Sequence, residues 1–196
     1  LSQAGSHVNV HLGNSSRSFA NGNQHHVTVG SMFGGKNSVI GDFNNDGDPD
    51  IVVSSDGIHI HLGDTGMGFQ SSNLVTTFGS GADLVARDFD NDGNLDIALA
   101  SSFEIGILYG DGSGSLNGIL FPINSPAVAL TAADINNNGS LELITADFAT
   151  GTISIYEIPI NIPIFSQSIT VGSLPFDVAV GDFNQDGLPD LVSCNY

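Results

Sequence analysis

The chain has 196 residues, 40% hydrophobic and only 12% charged, which is enough apolar content for a domain with a core and argues against disorder. Its 21 Asp and Glu residues face only Arg17, Lys36 and Arg87, for a formal charge of −18. Nucleic acid and anionic membrane surfaces are thereby excluded as partners, because phosphate binding needs clustered Lys and Arg.

In chain order, the first expected strand covers residues 8–13, ahead of Asn14-Ser15-Ser16, a glycosylation sequon placed on a hairpin turn. His25 and His26 follow in an Asn- and Gly-rich connection that reads as a solvated turn. Next comes a hairpin whose loop is Gly41-Asp42-Phe43-Asn44-Asn45-Asp46-Gly47-Asp48-Pro49-Asp50, leading into Ile51-Val52-Val53. A third strand is expected at Ile58-His59-Ile60-His61-Leu62 and a fourth within residues 69–78. His59 and His61 alternate and so share a face, where they could hold a transition metal or a sugar. With no third convergent ligand visible, a partly exposed strand face is the expectation.

The same series then recurs. Loops opening at Asp42, Asp88, Asp134 and Asp182 are spaced 46, 46 and 48 residues apart. Each is flanked by short β-rich runs, with further strands at residues 105–109, 116–122, 153–156 and 163–171. Four short antiparallel strands per period of this size is the arithmetic of a propeller blade. The expected fold is therefore all-β, a β-propeller of four-stranded blades in one domain over residues 1–196. Its repeats are expected at about 27–73, 74–119 and 120–165, with a composite blade from residues 166–196 and 1–26. The composite follows from the likeness of residues 8–13 to residues 58–63, which makes the chain start on a third strand and end after a second. The alternative is a fragment of a larger ring, since any whole number of blades gives complementary ends. The chain begins at Leu1 rather than Met, which fits a removed leader or a longer parent. No apolar run approaches the ~20 residues that span a bilayer, so membrane insertion is not expected. Cys194, the one cysteine, forms no intrachain disulfide and reads as a small buried hydrophobe beside residues 191–193.

The loops carry the chemistry. Oxygen-bearing side chains stand at positions 1, 3, 5 and 9: Asp42, Asn44, Asp46 and Asp50; Asp88, Asp90, Asp92 and Asp96; Asp134, Asn136, Asn138 and Glu142; Asp182, Asn184, Asp186 and Asp190. A hard cation such as Ca²⁺ takes six to eight oxygens, and alternate residues of a tightly curled loop can aim their side chains inward. Position 6 is always glycine (Gly47, Gly93, Gly139, Gly187), which allows the turn that brings in a position-7 carbonyl from Asp48, Asn94, Ser140 or Leu188. An apolar residue at position 2 (Phe43, Phe89, Ile135, Phe183) should anchor each loop in the core. Asp, Asn and Gly also make ordinary turns, but four loops in register, each crowding carboxylates, call for a cation. Three Ca²⁺ sites are expected, with a weaker fourth at Asp134, where Asn136 and Asn138 replace carboxylates. Mg²⁺ suits such loops less well.

The stretch from Leu174 to Leu191, with Gly181-Asp182-Phe183-Asn184-Gln185-Asp186-Gly187-Leu188-Pro189-Asp190 at its centre, resembles the FG-GAP/VCBS repeat of integrin α-chain propellers, fungal propeller lectins and many secreted microbial proteins. The resemblance covers nearly the whole chain. It implies Ca²⁺ binding, rings of roughly seven blades, and an extracellular, lectin-like or cell-adhesion role.

Three functions follow as expectations. The first is a non-catalytic recognition module at the cell surface or outside it, with a glycan or extracellular protein as partner. The second is a structural segment of a longer, self-associating surface protein. The third is the scaffold of a polysaccharide-degrading enzyme. The clustered carboxylates are committed to cations and no Ser-His-Asp or Cys-His spacing recommends itself, so no catalytic residue is expected.

Overall fold

The computed structural model describes residues 6–13, 19–29, 37–64, 68–70, 73–77, 83–123, 125–159 and 162–196, the first two stretches through their backbone pairing. The Asn14 sequon, Arg17 and Lys36 lie outside the described residues. Sixteen strands are described, and every pairing between them is antiparallel.

The strands form three four-stranded sheets, each in simple sequential order. The first contains β3 (Asn37–Gly41), β4 (Asp50–Ser54), β5 (Ile58–His61) and β6 (Asn73–Thr76). The second contains β7 (Asp83–Arg87), β8 (Asp96–Ala100), β9 (Glu104–Gly110) and β10 (Leu116–Pro122). The third contains β11 (Ala127–Ala133), β12 (Glu142–Asp147), β13 (Thr152–Glu157) and β14 (Ile164–Thr170). The fold is an all-β propeller architecture of four-stranded blades, whose sheets span 37–76, 83–122 and 127–170 and so each run a few residues past the expected repeat ends at 73, 119 and 165.

Two shorter sheets stand at the ends. β1 (Ser6–Gly13) pairs with β2 (Phe19–Val29), and β15 (Pro175–Gly181) pairs with β16 (Asp190–Asn195). Among the described residues they are separate two-stranded sheets, so the composite blade expected from the two ends is not assembled there and the ring is not closed. His25 and His26 are in β2, paired with Val10 and Asn9, and not in a solvated turn.

The second strand of each blade explains the stacking. β4, β8 and β12 are buried along their whole length, because a blade inside the stack is covered on both faces. Their sequences are accordingly runs such as Ile51-Val52-Val53 in place of an alternating pattern. One core cluster joins Val52, Ile58 and Ile60 of the first blade to Ile97, Leu99 and Leu108 of the second. A second joins Ala98, Ile105 and Ile107 to Leu130, Leu143 and Tyr156 of the third. A third joins Ile144, Ile153 and Ile155 to Val178 of β15. Each large aliphatic side chain so enclosed stabilises the stack by about 1.5–3 kcal/mol. The outermost strand β14 is exposed throughout.

Position 2 of each loop reports its place in the stack. Phe43 and Phe89 are 1% and 8% exposed, each held against the following blade, whereas Phe183 is 62% exposed, with no blade packed on it among the described residues. The expected core anchor is therefore realised in the first two loops and not in the last. Cys194 is exposed, contrary to its reading as a buried hydrophobe, because the same open side of the stack leaves β16 uncovered.

Candidate metal centres

Each acidic loop connects the first two strands of a sheet: β3–β4, β7–β8, β11–β12 and β15–β16. All four adopt the same backbone course. Position 6 has positive φ in every copy, 89° at Gly47, 92° at Gly93, 88° at Gly139 and 84° at Gly187. Position 4 is left-handed too, at Asn45, Asn91, Asn137 and Gln185. That second turn was missed from sequence, although Asn in three of four copies was a signal, since Asn tolerates this region better than most residues.

The curl is built from side-chain acceptors bonding backbone donors. In the second loop the Asp92 N–H donates to Asp88 Oδ1 at 3.2 Å and to Asp90 Oδ1 at 3.1 Å. The Gly93 N–H donates to Asp88 Oδ2 at 3.0 Å, and the Asn94 N–H to Asp92 Oδ1 at 2.7 Å. Positions 1, 3 and 5 repeat this pattern at Asp42, Asn44 and Asp46, at Asp134, Asn136 and Asn138, and at Asp182, Asn184 and Asp186. The position-7 residues Asp48, Asn94, Ser140 and Leu188 each supply the last of these N–H groups.

Position 9 does something the spacing did not reveal. Asp96 is fully buried and accepts two backbone N–H groups, Phe89 at 2.7 Å and Gly110 at 2.8 Å. Asp50 does the same with Phe43 at 2.7 Å and Gly63 at 2.8 Å. The carboxylate thus buckles the loop to the far end of the third strand. Burial pushes the Asp96 carboxyl up to about 6, against the lowering effect of the Gly110 and Phe89 N–H groups, with the Asp90 and Asp88 charges adding to the rise. Asp50 is raised for the same reason. Glu142, one methylene longer, takes the Ile135 N–H at 2.9 Å but turns its other oxygen to the Asn136 side-chain amide at 2.9 Å. Asp190 accepts from Phe183 at 2.9 Å and Asn184 at 3.3 Å within its own loop.

Carboxylate oxygens of Asp88, Asp90 and Asp96 lie within 4.8 Å of one another, and no Lys, Arg or His among the described residues pairs with them. Such an all-oxygen, uncompensated group suits a hard divalent cation. The third loop has two carboxylates, and Glu142 already satisfies the Asn136 amide, so it needs an ion least.

The remaining expectations fare differently. His59 and His61 are not on a partly exposed face: they are 7% and 1% exposed, on the side of β4–β5 turned away from the second blade. The His59 Nε2 meets Asp56 Oδ1 at 3.0 Å, which lowers the Asp56 carboxyl. His59 Nδ1 and His61 Nε2 have no hydrogen-bond partner. Burial lowers the His61 imidazole, helped by neighbouring His59.

Stacked four-stranded antiparallel sheets with an acidic loop in the first hairpin of each define a repeat propeller. The FG-GAP-like repeat matches residues 42–99 and 88–145, more than half of the chain, and the protein belongs to that family. No curated protein sequence matches the chain. Among solved structures it is similar to BBS1N in complex with ARL6DN (15% identity, TM-score 0.59), with 84% of this chain covering 51% of that one. It is also similar to an Agrocybe aegerita lectin described as recognising non-reducing terminal N-acetylglucosamine (16% identity, TM-score 0.59, 97% of this chain and 61% of that one). A third is the exotype rhamnogalacturonan lyase YesX (11% identity, TM-score 0.59, 95% and 42%). At these identities the likeness is one of fold, and the chain spans only 42–61% of the length of these structures.

Proposed function

We propose that this chain is a calcium-loaded, non-catalytic recognition propeller that works outside the cell or at its surface, with a glycan or extracellular protein as partner. The observation that carries the reading is the grouping of Asp88, Asp90 and Asp96 oxygens in a loop whose backbone course is repeated in all four copies. Ca²⁺ would be held by the side chains at positions 1, 3, 5 and 9 and by the position-7 carbonyl, and it would supply the charge that lets these carboxylates converge. The loops then act as stiff corners of each blade, leaving inter-blade clefts and outer strands to meet a partner. The non-catalytic reading is supported by the engagement of the clustered carboxylates, which accept loop N–H groups and keep their remaining lone pairs for the cation. The FG-GAP-like family supports the extracellular setting, and the lectin among the structural neighbours supports a glycan partner.

The test is a glycan array and a pull-down from cell-surface extract, each run in Ca²⁺ and in chelator. Capture that requires Ca²⁺ is the expected outcome. Binding to nothing, or equal binding in chelator, would defeat the reading.

A further inference from the structure

Between the second and third blades lies a cleft of about 370 Å³ that the acidic loops do not touch. Its floor is Asp147, at the end of β12 and only 3% exposed. Thr145 donates to Asp147 Oδ1 at 2.9 Å, and Ser154 and Thr152 donate to Oδ2, the latter at 3.3 Å. Beside this cluster stand Tyr156, whose hydroxyl is within hydrogen-bonding reach of Ser154 and Thr145, and Phe165, the two rings packed edge to face with centroids 5.9 Å apart.

Blade stacking does not require this polarity. Strand register places Val53 and Leu99 where the third blade has Thr145, and His59 and Gly106 where it has Ser154. A buried carboxylate is costly unless paired, yet no Lys, Arg or His among the described residues pairs with Asp147.

The hydroxyls around it bear on what could pair with it. Thr150 and Thr152 share a 2.7 Å contact, Thr150 also reaches the Asp147 carbonyl oxygen at 3.4 Å, and Ser125 lies 3.4 Å from Thr150. Each hydroxyl has one proton and two lone pairs, so this row leaves acceptor sites beside the carboxylate. A cleft that offers acceptors, a carboxylate and an aromatic wall suits a group with several N–H donors and a positive charge. An anion would be repelled.

We propose that this inter-blade cleft binds a primary alkylammonium group, with the charged nitrogen at Asp147 and its methylene stem against Tyr156 and Phe165. The chemistry is that of a lysine side chain or of a free alkylamine. The proposal rests on the recognition reading, to which it adds the class of group recognised.

The test is an NMR titration of the calcium-loaded protein with Nα-acetyl-lysine methylamide, its Nε-acetylated counterpart and n-butylamine. The lysine derivative should bind at ~1 mM or tighter, and Nε-acetylation, which removes the charge, should weaken it by about tenfold. Asp147→Asn should abolish that discrimination. Ser168→Trp, placed on exposed β14 at the mouth of the cleft, should block binding without touching the core. Butylamine binding as well as the lysine derivative identifies a free amine as sufficient, whereas binding of the lysine derivative alone identifies a protein side chain; both support the assignment. Equal binding of the acetylated compound, no binding of either amine, or an unaffected Ser168→Trp protein overturns it. A partner captured equally by wild type and Ser168→Trp refutes the cleft and leaves the recognition reading standing. Amine binding without any captured partner does the reverse.

Discussion

The buckle at position 9 makes a sharp distinction between two carboxylates of the same loop. Asp96→Ala strips the acceptor from two buried backbone N–H groups, those of Phe89 and Gly110, at about 1–3 kcal/mol each. Part of this is offset, because the variant no longer has to desolvate a carboxylate whose burial has pushed it up to about 6. A net loss of about 2–3 kcal/mol is expected in calcium-free protein at neutral pH. Asp90→Ala removes an exposed side chain whose bond to the Asp92 N–H is solvent-accessible, and it relieves repulsion on Asp96. Its expected cost without calcium is under about 0.5 kcal/mol. Urea unfolding in chelator measures both, and calcium titration of the same variants should show weakened binding in each. If the two substitutions destabilise the calcium-free protein equally, position 9 is an ordinary ligand position and the buckle argument is wrong.

Other outcomes follow from the same structure. A Cβ at Gly93 would meet nothing within 4 Å, so φ of 92° alone accounts for the glycine; Gly93→Ala should cost about 1–2 kcal/mol and Gly93→Asn less, read by thermal unfolding. Asp83 joins the second and third blades by accepting the Leu130 N–H at 2.7 Å, and burial raises its carboxyl. A carboxyl raised in the folded state contributes stability that is complete below the usual Asp range and lost as pH rises through the folded value. Asp83→Asn keeps an acceptor for Leu130 and removes the titration, so its stability advantage over wild type should grow from pH 4 toward neutrality in denaturant melts. Calcium should raise the melting temperature and chelator lower it, with calorimetry showing the Asp134 loop filling last.

Repetition made the blades legible in the sequence. The strand expected at residues 116–122 is β10, Leu116–Pro122, and the loop spacing fixed which side chains could converge, because a period repeated four times separates signal from ordinary turn chemistry. What the sequence hid was whatever depends on a neighbouring blade. His59 and His61 alternate as a strand face should, but alternation says nothing of what covers that face, and both are buried. Phe43 and Phe183 hold equivalent positions and differ only in having a blade beyond them. Position 9 showed as a candidate ligand, while its bonds to Gly63 and Gly110 cross to the end of another strand and leave no trace in the spacing. Asp147 was invisible for a similar reason, since its partners Thr152 and Ser154 come from the next strand.

The loops already hold their turns through bonds from backbone N–H groups to the side chains of Asp88, Asp90 and Asp92. An arriving cation meets a cage that has little left to rearrange. Its entry should therefore be limited by loss of its own hydration, with a rate insensitive to viscosity. The accompanying heat-capacity change should be small, because no apolar surface waits to be buried.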